Sequence, residues 1–143
     1  MYPVPEALLK GLSIPPKEVL VNQQAYVAVY ESEQEIYALA SVSEQLKTLG
    51  PHDVVVTAPG HSHDFVSRYF WPANGGDEDP VTGSIHAALA PLWAERLGKR
   101  ELVAFQASQR GGLLYCSVEA DHVFVSGQAV QYLEGIIEVP GGG

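Results

Sequence analysis

Apolar positions along this chain fall in short alternating runs separated by polar turns, with one long exception near the middle. Glu18-Val19-Leu20-Val21, Ala25-Tyr26-Val27-Ala28-Val29-Tyr30 and Glu35-Ile36-Tyr37-Ala38-Leu39 are rich in β-branched and aromatic residues and predict strands. The polar Glu31-Ser32-Glu33-Gln34 reads as the hairpin turn between the last two. Asp53 to Thr57 is strand-like, and Asp64-Phe65-Val66-Ser67-Arg68-Tyr69-Phe70-Trp71 alternates as a strand with its apolar positions inward. Downstream, Glu101–Ala107, Gly112–Glu119, His122–Val125 and Gln131–Val139 predict further strands, joined by hairpin turns at Arg110-Gly111-Gly112 and Glu119-Ala120-Asp121 and by a turn or bulge at Ser126-Gly127-Gln128. Two short helices are expected. One, Glu6–Leu12, is stopped by Pro15-Pro16, and the other, Ser43–Gly50, carries a capping serine at its start and a glycine at its end on the surface.

The exception is Gly83 to Leu97, a helical stretch whose first three turns are apolar or small on nearly every face. A helix apolar all round is buried on all sides. Its surroundings are nearly all strands, so the simplest architecture is an α+β domain whose curved, barrel-like sheet, mixed or antiparallel, wraps one central buried helix. Pro91 lies inside this stretch and is expected to bend it or start a new turn.

At 143 residues the chain suits one domain, here residues 1–140, with Gly141-Gly142-Gly143 as a frayed tail. Hydrophobic residues at 46% and charged residues at 17% fit a folded globular protein. A net charge of −9 without any basic cluster argues against nucleic acid as a partner. No apolar run approaches bilayer-spanning length and the first residues lack a signal-peptide pattern, so the expectation is a cytoplasmic protein with no membrane association. Cys116 is the lone cysteine; placed mid-strand, it reads as a small core residue and not as a nucleophile.

Candidate chemistry concentrates where the polar, acidic segment Pro72–Pro80, read as a surface loop, meets the start of the buried helix. A helix N-terminus offers unpaired N–H donors and partial positive charge, so Thr82, Gly83 and Ser84 are suited to cradle a carboxylate or phosphate. Asp79 would set a carboxylate beside that pocket, able to hydrogen-bond a ligand or move a proton; the alternative is ordinary helix capping. His86 either lines the pocket or sits in the core bonded to a carbonyl. Arg68 either pairs with Glu78 or Asp79 or reaches a substrate carboxylate. His61 and His63 have strand-like ligand spacing but no second pair, so they read as loop histidines and no metal is expected. Gln109-Arg110-Gly111-Gly112 reads as a β-turn.

Taken together, Asp64-Phe65-Val66-Ser67-Arg68-Tyr69-Phe70, Glu78-Asp79-Pro80-Val81-Thr82-Gly83-Ser84-Ile85-His86, Leu92-Trp93, Gln106-Ala107-Ser108-Gln109-Arg110-Gly111-Gly112, Ser126-Gly127-Gln128-Ala129 and Glu134-Gly135 resemble the phenazine biosynthesis-like (PhzF type) isomerase family. That family is similar in fold to diaminopimelate epimerase, with two related lobes, each a barrel-like sheet around a central helix, and the active site in the cleft between them. The resemblance implies cofactor-independent, metal-free proton transfer at carbon on a small carboxylate substrate. It implies Asp79 and Ser84 as site residues, with the Thr82-Gly83 backbone in the anion pocket and Arg68, Glu78 and His86 as possible lining. It also implies that this chain corresponds to the C-terminal lobe alone, without the N-terminal glutamate regarded as the family's main acid/base. A cleft would then require a homodimer or a separate N-terminal lobe; the other readings are a non-catalytic module that binds a small carboxylate or a protein, and a truncated fragment of a full-length enzyme that retains the fold.

Overall fold

The computed structural model describes residues 4–79, 82, 84–108, 111–120, 122–127 and 134–138. In chain order the elements are α1 (Glu6–Gly11), β1 (Glu18–Val21), β2 (Ala25–Val29), α2 (Glu33–Ala38), α3 (Ser43–Leu46), β3 (Asp53–Pro59), β4 (Phe65–Phe70), β5 (Glu78–Asp79), α4 (His86–Leu97), β6 (Glu101–Gln106), β7 (Gly112–Val118), β8 (His122–Gly127) and β9 (Glu134–Glu138). Short 3₁₀ turns follow α3 at Lys47–Leu49 and β4 at Pro72–Asn74. The fold is α+β, as expected. The strands form one open mixed sheet in the order β1-β2-β3-β4-β6-β7-β8-β9, with β5 attached to β4 off this path.

Two neighbouring pairs, β2 with β3 and β4 with β6, run parallel, and the other pairs run antiparallel. Parallel neighbours need crossover connections. The first crossover is α2–α3 and the second carries β5 and α4, and they pack on opposite faces of the sheet. Because side chains alternate along a strand, β2, β3 and β4 feed two cores at once. Val27, Val55, Phe65 and Tyr69 join Leu102, Leu114 and Val123 around Ile85, Leu89 and Trp93, so six strands curve about α4. Ala28, Val54, Val56, Val66 and Phe70 meet Leu8, Ile36 and Leu46 of α1, α2 and α3 on the other face. Each fully buried leucine or isoleucine there contributes about 2 kcal/mol of transfer free energy.

The central helix begins at His86 and keeps Pro91 within its span, three residues later than the sequence pattern predicts. Ser84 and Ile85 form the turn that leads into it. It ends at Gly98, whose φ of 69° is the left-handed conformation that lets its N–H reach Ala94 O at 2.9 Å. The expected hairpins β6–β7 and β7–β8 are formed, while Gln109, Arg110 and Asp121 of their turns lie outside the described residues. So do Gln131–Leu133 of the last predicted strand, Val139 at its end, and Gly141-Gly142-Gly143.

Three local expectations are corrected. Glu33–Ala38 is a helix, not turn plus strand, because Ser32 and Glu35 form a capping box, with Glu35 Oε1 accepting from the N–H groups of Glu31 and Ser32 at 3.1 and 3.3 Å. Ser43 does not cap α3: its hydroxyl donates to Asp77 Oδ1 at 2.8 Å, Val42 precedes the helix, and Leu46 turns into the core. Glu78-Asp79 is not loop but a two-residue strand paired with Phe70 and Tyr69. Among the described residues no helix is long and apolar enough to cross a membrane.

Candidate active site at the mouth of the central helix

One edge of β4 serves two partners. Phe65, Val66 and Ser67 pair with Ala104, Phe105 and Gln106 of β6, while Tyr69 and Phe70 pair with Asp79 and Glu78 of β5. Gln106, the last residue of β6, therefore abuts Asp79, the last residue of β5, and the start of α4 lies over this junction. The junction lies toward the carboxyl ends of the parallel pair β4 and β6. A pocket of about 250 Å³ opens there, lined by Gln24, Asp53, Tyr69, Trp71, Asp79, Thr82 and Ser84.

The buried Gln106 side chain clamps the segment that crosses the junction. Its Oε1 accepts the Thr82 N–H at 2.7 Å, and its Nε2 donates to Asp79 O at 2.9 Å and to Thr82 Oγ1 at 3.1 Å. Thr82 Oγ1 in turn donates to Asp79 Oδ2 at 2.8 Å. The sequence expectation for Thr82 is corrected accordingly. Both its N–H and its hydroxyl are spent inside the protein, so it brackets the Asp79 carboxylate and has no donor left for a ligand. Ser84 is different. Its side chain is exposed at the pocket, and among the described residues no acceptor meets the N–H groups of Ser84, Ile85 and His86, the first donors of the helix start. Gly83 lies outside the described residues.

Arg68 and Glu78, offered by the sequence as possible lining, point to the other face. Arg68 Nε and Nη2 form a two-pronged pair with Glu78 at 3.0 and 2.9 Å, and Nη1 donates to Ile36 O and Leu39 O at 3.0 and 2.6 Å. The guanidinium thus closes the C-terminal end of α2, satisfying carbonyls that the helix leaves open. Strand alternation places Arg68, Phe70 and Glu78 together on that face and Tyr69 with Asp79 on the pocket face.

His86 is core, not lining. It is fully buried, its ring stacks on Phe65 at 5.8 Å, and Nδ1 carries the proton donated to Thr82 O at 2.8 Å, while Nε2 meets no partner among the described residues. Burial outweighs that hydrogen bond and pushes its pKa down to about 4, so the ring is neutral near pH 7. Burial also pushes the Cys116 thiol up to about 12, which removes it from thiolate chemistry. His63 stacks on Phe105 with centroids 5.0 Å apart. Among the described residues, no group of three or more His, Cys, Asp or Glu side chains is arranged to hold a metal ion.

Four lining residues, Gln24, Asp53, Tyr69 and Trp71, were not singled out from sequence. Tyr69 had a signal, since alternation along β4 puts it on the same face as Phe65 and Ser67. Gln24 and Asp53 had none, because they meet only through the parallel register in which Ala25 faces Asp53. The Tyr69 hydroxyl donates to Asp53 Oδ2, and desolvation followed by that bond raises its pKa. Trp71 rests against Gly76, where a Cβ would come within 2.3 Å of the indole.

Comparison with known proteins extends this picture. The profile of the phenazine biosynthesis-like protein family matches residues 9–135. An uncharacterized isomerase of Pseudomonas aeruginosa is 45% identical over 135 residues, which is 94% of this chain and 52% of the relative. An uncharacterized isomerase of Halalkalibacterium halodurans is 45% identical over 134 residues, covering 90% of this chain and 49% of the relative. A crystal structure of a PhzF-family phenazine biosynthesis protein from Enterococcus faecalis superimposes with a TM-score of 0.84 at 35% identity, covering 95% of this chain and 52% of the other. The chain thus spans about half the length of the relatives it matches.

Proposed function

The chain belongs to the phenazine biosynthesis-like family, and on that premise we propose that it is the C-terminal lobe of a PhzF-type isomerase, in which Asp79 moves a proton at a carbon of a small carboxylate substrate. One observation carries the reading: at the mouth of α4 the Asp79 carboxylate, held by Thr82 Oγ1, lies in the same pocket as the exposed Ser84 hydroxyl and next to helix N–H groups that meet no acceptor among the described residues. A carboxylate ligand seated on those donors would present its neighbouring carbon to Asp79. Proton transfer at carbon needs a base on one side and an acid to return the proton, and no cofactor enters such a scheme. Asp79 supplies one of the two. The second is assigned to whatever closes the open side of the pocket, either a second copy of this chain about a two-fold axis or a separate N-terminal lobe.

The test is exchange of carbon-bound hydrogen for deuterium in heavy water, followed by NMR across a panel of small carboxylates with an acidic C–H. Molecular mass is followed by light scattering on the same dilution series. Exchange that tracks a dimer and is lost in Asp79→Asn supports the shared-cleft enzyme. Carboxylate binding with no exchange at any concentration sinks the cleft shared between two copies and leaves this chain by itself a binding module.

A further inference from the structure

The hydrogen bonds that link Asp53 to Ser84 diverge from Gln24, and the acceptor at Asp53 fixes which partner donates at each step. Tyr69 has a single hydroxyl proton and gives it to Asp53 Oδ2. Asn74 Nδ2 donates to the other carboxylate oxygen at 2.6 Å and to Pro51 O at 3.1 Å, so both oxygens of Asp53 act as acceptors. With its proton spent, the Tyr69 oxygen can only accept, and it accepts from Gln24 Nε2 at 2.9 Å. The same nitrogen donates to Ser84 Oγ at 3.0 Å, which commits the second of its two protons. Ser84, filled from that side, retains its own hydroxyl proton, and among the described residues nothing accepts it. Gln24 is itself fixed: Asn22 Oδ1 accepts from the N–H groups of Gln24 and Ala25 at 2.7 Å each, and Gln24 O accepts the Asp53 N–H at 2.9 Å.

We infer that Asp53, Tyr69 and Gln24 are positioning residues, which together turn the Ser84 hydroxyl into a committed donor toward a carboxylate in the pocket. The inference rests on the reading of that pocket given above and assigns the three residues a task in it. It makes a prediction opposite to simple electrostatics. Asp53→Asn is isosteric and removes a negative charge from the pocket wall, which by charge alone tightens anion binding. The relay demands the reverse. Asn74 still donates to one side of the new amide, so the oxygen of Asn at position 53 stays there and its NH₂ faces Tyr69. Tyr69 must then donate to Gln24, whose amide turns over to present Oε1 to both hydroxyls. Ser84 now gives its proton to Gln24, and the pocket loses its donor.

The experiment titrates the purified chain with benzoate, with neutral benzamide as control, by calorimetry. Asp53→Asn is expected to weaken benzoate about tenfold, the share of one hydrogen bond to a charged group. Gln24→Leu, which removes the amide outright, serves as the second variant and is expected to weaken it as well. In a Ser84→Ala background the Asp53→Asn loss disappears, because the donor it redirects is gone. Unchanged or tighter benzoate binding by Asp53→Asn with Ser84 present overturns the relay. Should the wild-type chain fail to distinguish benzoate from benzamide, the carboxylate pocket itself is overturned, and the relay is then judged without ligand. The Gln24 side-chain NH₂ protons should exchange slowly with solvent by NMR in the wild-type chain and quickly in Asp53→Asn; slow exchange in both overturns it.

Discussion

Glu78 and Asp79 are neighbours in the chain, share one short strand and carry the same chemical group, yet they belong to different parts of the molecule. Glu78 faces α2, where the Arg68 fork holds both its oxygens and ties it to the carbonyls of Ile36 and Leu39. Asp79 faces α4, where a hydroxyl holds one oxygen beside an open pocket. The difference teaches that a carboxylate's role follows from the face it is dealt by strand alternation. A cation that saturates it makes it a structural brace; a place on the pocket face beside a neutral donor sets it where a ligand can meet it.

The most severe way to break this comparison is to neutralise each carboxylate's side in turn. Asp79→Asn should lower any C–H exchange at least about 100-fold, the usual worth of a positioned acid or base, while the urea midpoint stays within error of the wild-type chain. Arg68→Met should do the opposite. It strands Glu78 and two helix carbonyls in a half-buried site where the pair is only 15% and 22% exposed, so a loss of about 3 kcal/mol in unfolding free energy is expected, with benzoate binding retained. If Arg68→Met instead abolished ligand binding at unchanged stability, the division between the faces would be wrong.

A pH series sharpens the α4 side. His86 titrates near 6.5 unfolded and near 4 in place, so the unfolded chain takes up the proton first as pH falls. Its contribution is fully present above about pH 6.5 and is lost on the way to about pH 4, by about 3 kcal/mol at the limit. Urea midpoints measured at about pH 7.5 and about pH 4.5 should therefore converge for wild type and His86→Leu on the acid side, since the carboxylates are common to both chains. Smallest is the effect of Glu35→Ala. Removing the acceptor that caps α2 should cost about 1 kcal/mol and leave the pocket untouched, as read by chemical denaturation and benzoate titration.

Much of the architecture was legible from pattern alone. The all-apolar stretch around Ile85 to Trp93 demanded burial, the surrounding period-two runs demanded a sheet, and the two together demanded a sheet curved about a helix. The misassigned segment, Glu33–Ala38, shows the limit of reading composition before caps. Ile36, Tyr37 and Leu39 suit a strand, but Ser32 and Glu35 stand at capping-box spacing, and that signal outranks side-chain preference because it satisfies backbone donors that a turn would leave to water. Asp79 and Ser84 were legible as a helix-mouth motif. That Thr82 is a bracket and not a ligand donor was not, because Gln106 spends its N–H and sits far along the chain.

By itself, the sequence determined what is local: where strands alternate, where one helix must be buried, and that acidic and hydroxyl residues precede that helix. Only the tertiary structure decided which of two adjacent carboxylates opens on the pocket and which distant residues join it. Gln24, Asp53 and Tyr69 lie in three different elements or turns, and no periodicity connects them. Their meeting depends on a parallel register between β2 and β3 and on β4 sharing one edge between β5 and β6. Register and edge sharing are set by how two cores pack on opposite faces of one sheet, a property of the whole assembly that short-range pattern does not encode.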